Sequence, residues 1–135
     1  MQWILGRDAV SGILSPVIEG QKWFMDIETK ETFKMEADGD EKECLMVGKY
    51  VFSKLAFSRA AEVLRKAVQI KQGWLIIDEV GPLELRGEGF YDILKTILNN
   101  TAEERKIILV IREGLVEDVL QKFGITKYRN FKPDL

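Results

Sequence analysis

The stretch Gly73 to Leu85, GWLIIDEVGPLEL, constrains this chain more than any other. Apolar residues from Trp74 to Ile77 run straight into Asp78 and Glu79, and a Gly81-Pro82 break follows at once. A run this short, apolar on both faces and bounded by turn residues, predicts a buried parallel strand. Open α/β sheets place their ligands at the C-terminal ends of such strands. Adjacent carboxylates at that end either handle a metal and a water or make a salt-bridge pair facing a helix.

The neighbouring segments repeat the grammar. Ile107 to Ile111 is a second continuous apolar run, hence a second buried parallel strand. Phe90, Ile93, Leu94, Ile97 and Leu98 share one helical face, closed by Asn99 and Asn100, and Leu115, Val119, Leu120 and Phe123 form the stripe of another helix, closed by Gly124. Upstream, Ser53 is placed to cap a helix whose stripe is Phe57, Ala60, Ala61, Leu64, Ala67 and Val68, ended by Gly73. Strand and helix alternating in this way imply right-handed crossovers and a mainly parallel sheet with helices on both faces.

The first third reads differently. Period-two alternation with turn signals predicts antiparallel strands over Ile13–Ile18, Lys22–Glu28 and Glu31–Glu36. Leu45–Val47 and Tyr50–Phe52 read as a short strand interrupted by Gly48-Lys49, and Tyr128–Phe131 as a final edge strand. The acidic segment Ala37–Glu43 reads as a solvated loop, because its carboxylates lack the spacing and closing Glu of a calcium loop.

At 135 residues the chain is expected to be one domain, 1–135. A formal charge of −2, with Lys and Arg spread along the sequence, argues against nucleic acid or a membrane surface as partner. No histidine is present, which removes Ser-His and Cys-His nucleophile systems and imidazole-bound zinc. Cys44 is the lone cysteine, so no internal disulfide forms and a reducing, cytoplasmic setting is expected. The N-terminus lacks a signal-peptide pattern, and no apolar run approaches the length of a bilayer. The chemistry then falls to carboxylates, Lys, Arg, backbone amides and a bound metal.

LIIDEVGPLEL resembles the Walker B segment of the THEP-type nucleoside triphosphatases, P-loop NTPases with a RecA-like core. In order before it, Ser11–Thr29 (SGILSPVIEGQKWFMDIET) is similar to that family's strand and β-hairpin, and Met46–Phe52 (MVGKYVF) to its Gly-Lys-Tyr segment. The resemblance covers roughly residues 9 to 112. It implies a parallel P-loop NTPase-like core with an added antiparallel hairpin, and magnesium-dependent hydrolysis of ATP or GTP to the diphosphate. It assigns Asp78 to the magnesium ion and Glu79 to the attacking water, as the two carboxylates of such sites divide their work. Glu84 follows as a family-pattern site residue. Arg112, at the tip of the second parallel strand, stands where a polar sensor of the γ-phosphate is expected, or else opens a solvated turn with Glu113 and Gly114. Lys49 and Tyr50 carry over as pattern residues without a role.

One departure weighs against the matches: no GxxxxGK followed by Ser or Thr occurs in the sequence. That loop's amides and Lys supply most of a phosphate cradle. The chain is therefore expected to be an N-terminally shortened member, its first P-loop strand and helix absent, inactive alone. The phosphate-loop strand is expected between the strand carrying Asp78 and the Ile107–Ile111 strand, leaving an edge filled by Met1–Leu5, by dimerisation, or by a partner chain. The alternatives are a non-catalytic scaffold of the same fold, or an interaction module using the hairpin and acidic loop.

Overall fold

The computed structural model describes residues 4–5, 8–70, 73–99 and 105–131. Its strands are β1 (Ile4–Leu5), β2 (Asp8–Leu14), β3 (Val17–Ile18), β4 (Gln21–Asp26), β5 (Thr32–Lys34), β6 (Cys44–Val47), β7 (Tyr50–Ser53), β8 (Gly73–Val80) and β9 (Arg105–Ile111). Its helices are α1 (Lys54–Ala67), the single turn α2 (Pro82–Leu85), α3 (Tyr91–Asn99) and α4 (Val116–Lys122).

The two continuous apolar runs are the parallel strands β8 and β9, and β2 joins β8 on its other side, also parallel. The sheet runs β3-β4-β2-β8-β9, with β1 on β2 and β5 on β4, while β6 and β7 form a separate two-stranded ribbon. A mostly parallel centre with antiparallel strands added at the N-terminal side is the P-loop NTPase-like arrangement. The first expected strand is divided, because Pro16 lacks the N–H that would continue pairing. Its earlier part, β2, bonds both to β8 and antiparallel to β4, and so welds the hairpin onto the parallel core.

Gly12 makes that weld. Its φ is +122°, and a Cβ there would come within 2.0 Å of the Ile76 carbonyl oxygen across the β2–β8 ladder.

Along β8, Leu75 and Ile77 enter the large core with Leu64, Phe90, Leu94 and Ile97, while Ile76 joins Val10 and Ile27 on the opposite face. The buried apolar residues of all four helices belong to the large core. The described helices thus account for one of the two expected helical layers. Ser53 caps α1 as its type predicts, its Oγ accepting the Ala56 N–H at 3.1 Å.

Two expectations are corrected. β8 and β9 pair directly, Gly73–Ile77 with Arg105–Leu109, so no strand lies between them; among the described residues the open edge is the far side of β9. Tyr128–Phe131 is irregular, with Phe131 85% exposed, because no buried face repays the ordering of a strand there. At the N-terminus, Ile4–Leu5 pairs back onto Asp8–Ala9 of β2 and does not approach β9 in the sheet order; Met1–Trp3 lie outside the described residues.

Candidate functional site

The end of β8 departs from regular pairing where the carboxylates lie. Ile77 pairs with Leu109, but the next pair is Val80 with Ile111, so β8 carries one extra residue against β9. Such bulges bend a strand and re-aim its side chains, and they gather beside active sites. The extra residue returns Val80 to the large core and is accommodated by Glu79, whose φ of +60° lies in the left-handed region. A non-glycine residue held there carries strain on the order of 1 kcal/mol.

Asp78 and Glu79 consequently meet different partners. Asp78 is half-buried, and its Oδ2 accepts the Ser15 N–H at 2.9 Å. No second partner reaches Asp78 among the described residues. The Ser15 hydroxyl is buried without a hydrogen-bond partner among them. Glu79 is more open, and both its oxygens take the Lys22 ammonium, at 3.0 and 3.2 Å. Lys22 is held in turn: its backbone N–H donates to Glu36 at 2.7 Å, and its Nζ stands 5.0 Å from the centroid of the Tyr50 ring. Lys22 on the hairpin and Tyr50 on the ribbon were invisible as site residues from spacing alone. Only the Gly-Lys-Tyr and hairpin segments of the family pattern hinted at them.

The carboxylates border a cavity of about 340 Å³. Its rim includes Lys22, Asp78, Glu79 and Arg112, and its floor includes Phe24, Phe52, Phe57 and Phe90. Arg112 follows β9 directly and is exposed. The bulge and the β9 tip therefore bring Asp78, Glu79 and Arg112 to one opening.

Glu84 also faces this cavity but is 2% exposed. Its Oε1 accepts the Gly81 N–H at 2.8 Å and its Oε2 the Phe90 N–H at 2.9 Å. This is the carboxylate half of a capping box, closing the first turn of α2 while tying it to the segment entering α3. Burial raises the Glu84 pKa, the amide hydrogen bonds from Phe90 and Gly81 oppose that rise, and the charge of Glu79 adds to it. Gly89 makes room: its φ is +63°, and a Cβ there would fall 2.2 Å from Glu84 Oε2.

The acidic segment 37–43 forms no chelating group, and no cluster of metal-ligating carboxylates occurs among the described residues. No helix among them is long and apolar enough to cross a membrane.

The comparisons agree with this architecture. A profile of the NTPase family matches residues 17–132. The chain is similar to the crystal structure of THEP1 from the hyperthermophile Aquifex aeolicus, with a TM-score of 0.64 and 18% identity over 89% of this chain and 70% of that one. It is also similar to the solution structure of a human cancer-related nucleoside triphosphatase, with a TM-score of 0.57 and 23% identity over 84% of this chain and 68% of that one. At these identities the structural likeness is one of fold. No curated protein sequence matches significantly.

Proposed function

This chain belongs to the NTPase family, the THEP-type nucleoside triphosphatases it resembles, and on that premise we propose that it supplies the magnesium-holding and water-activating half of a site hydrolysing ATP or GTP to the diphosphate. The observation that carries the reading is the bulge at Asp78-Glu79, which gives the two carboxylates different surroundings at one cavity mouth.

Asp78 suits a magnesium ion: the Ser15 amide fixes one carboxylate oxygen, and the other has no partner among the described residues. The orphaned Ser15 hydroxyl beside it adds an oxygen of the kind that hard cations prefer. Magnesium, when bound, offsets the negative charge that develops on the transferring phosphoryl group. Glu79 is the base: it takes a proton from water as the water oxygen bonds to the γ-phosphorus and the bond to the bridging β,γ-oxygen breaks. Lys22 orients Glu79 through its two-oxygen contact. Arg112 lies at the rim to meet a terminal phosphate, and Glu84 fastens the turn that follows Asp78 and Glu79.

The phosphate loop is not among these 135 residues. It would reach the site along the open edge of β9, from a segment preceding these residues or from a partner chain whose strand completes the sheet. The setting is cytoplasmic, in keeping with Cys44 as a lone free thiol.

The test supplies a strand, a GxxxxGK-Ser/Thr loop and a helix, either joined ahead of the chain or on a second polypeptide, and measures phosphate release from ATP and GTP. Magnesium-dependent release should appear. Glu79→Gln should lower it at least ~100-fold, and Asp78→Asn should lower it and raise the magnesium concentration it requires. Release that neither variant alters, or none in any arm, would leave the chain a non-catalytic scaffold of the NTPase fold.

A further inference from the structure

Beyond the magnesium ion and terminal phosphate met by Asp78 and Arg112 at the rim, hydrolysis needs room only for one water, whose share of liquid volume is about 30 Å³. The cavity beside Glu79 measures about 340 Å³, on the order of tenfold more, and falls within the range of small-molecule pockets. Its floor is the aromatic cluster in which Phe24, Phe57 and Phe90 contact one another and Phe52 meets Phe57. Tyr50 forms a wall, its ring parallel to Phe52 within 8° at a centroid distance of 5.7 Å. This gives a chemical role to the Gly-Lys-Tyr segment, which hydrolysis leaves unused.

Position and charge define the occupant. In an in-line displacement the base stands on the side of the phosphorus opposite the leaving group. A cavity opening at Glu79 therefore holds the bearer of the nucleophile, and the donor nucleotide's own ring lies at the far end of its triphosphate. Carboxylates of Asp78, Glu79 and Glu84 face the cavity; of its two cations, Lys22 is engaged by Glu79 and Arg112 stands at the rim, toward the phosphate side. The interior behind the rim therefore disfavours an anionic occupant. An aromatic floor with one base at its mouth suits an uncharged planar ring carrying a hydroxyl group.

We propose that this cavity is an acceptor pocket for a nucleoside-like aromatic alcohol, so that the site transfers the γ-phosphoryl group to a hydroxyl as well as to water. The inference rests on the reading of Glu79 as the base. In the step, the acceptor hydroxyl gives its proton to Glu79, its oxygen bonds to the γ-phosphorus, and the bond to the bridging β,γ-oxygen breaks. The products are a phosphate monoester and the nucleoside diphosphate, with the triphosphate as the only co-reactant.

The experiment titrates the full chain separately with adenosine, guanosine, cytidine and thymidine, reading amide shifts by NMR. At least one nucleoside should give saturable shifts centred on Tyr50, Phe52, Glu79 and Phe90. Tyr50→Ala should weaken binding about tenfold, the lower end of what stacking a base on an aromatic side chain is worth. Tyr50→Phe should retain binding, and Val47→Trp, which fills the cavity, should abolish it in a chain whose spectrum remains folded. Absence of saturable shifts with every nucleoside, or binding indifferent to both Tyr50→Ala and Val47→Trp, overturns the proposal. So does displacement of the nucleoside by a non-hydrolysable triphosphate that reproduces the same shifts, since the ring would then be the donor's own. Phosphorus NMR on the chain completed with a phosphate loop separates the two readings. Nucleoside binding without turnover of triphosphate removes the hydrolytic reading and leaves the pocket, whereas phosphate release without nucleoside binding removes the pocket and leaves hydrolysis.

Discussion

Glu79 and Glu84 lie in the same short stretch and face the same cavity, yet the fold treats them oppositely. Glu79 sits on a strained bulge, with a side-chain ammonium as its partner at an accessible rim. Glu84 is 2% exposed, and both its oxygens accept main-chain amides. A carboxylate whose partners are backbone groups cannot exchange them without unmaking the turn they define. One whose partner is a flexible side chain can release it to a substrate or a proton. The kind of partner, more than the residue type or position, separates the group suited to chemistry from the group that holds the site in shape.

The largest test of that contrast is Glu84→Ala. It leaves the Gly81 and Phe90 amides unpaired in the interior, each costing about 1–3 kcal/mol, so the chain should lose about 4 kcal/mol of stability in urea unfolding. An effect under about 1 kcal/mol, the scale of a surface ion pair, would place Glu84 in the same class as Glu79. Gly89→Ala probes the same contact from the other side. A methyl group at +63° would press on Glu84 Oε2, and the expected cost is about 2–3 kcal/mol, read as a lowered Tm. That loss should shrink in the Glu84→Ala background, because the two changes act through one contact.

Glu79→Gln should behave in the opposite sense. Its partner Lys22 is a side chain at the rim, and such pairs contribute about 0–1 kcal/mol; strain at φ +60° is unchanged by the substitution. Stability should therefore move by less than about 1 kcal/mol, while the phosphate release described above collapses. A change of several kcal/mol would mean that Glu79 serves the fold, and the contrast would fail. Lys22→Met should likewise leave stability within about 1 kcal/mol and slow turnover by freeing the Glu79 carboxylate from its fixed orientation.

Much of the frame was legible in advance because it rests on local pattern. The apolar runs Trp74–Ile77 and Ile107–Ile111, and the stripe from Phe57 to Ala67, have only one way to bury themselves. Ser53, Gly73 and Pro82 mark element ends by chemistry that acts within a turn. What was not legible depends on pairing between distant segments. The bulge arises from the register of β8 against β9, and no property of Asp78 or Glu79 alone discloses it. The approach of Lys22 to Glu79 spans 57 positions in sequence and needs the hairpin to be welded through Gly12. Glu84 looked like a site residue because it follows Asp78-Glu79 in the family pattern. Its burial against two amides is a consequence of α2, a single helical turn too short to leave a periodic signal. Tyr128 and Phe131 show the reverse error, β-forming residues with nothing to pair against.

The smallest effect is a pH dependence of stability that comes from the burial of Glu84. Burial raises the Glu84 pKa above its ordinary value of 4.5, against the opposing hydrogen bonds of the Phe90 and Gly81 amides. The folded chain therefore holds this proton more tightly than the unfolded chain. Where the native state binds more protons, unfolding free energy falls as pH rises. Glu84's contribution should be fully favourable below pH 4.5, decline as pH climbs from there through the raised native value, and level off above it. Glu84→Gln removes the titrating group, and its amide can accept from one of the two backbone N–H groups but not from both. The difference in unfolding free energy between wild type and Glu84→Gln, measured by urea titration at successive pH values, should therefore favour wild type most at low pH and narrow upward. A difference independent of pH would show that the Glu84 carboxyl titrates alike in both states.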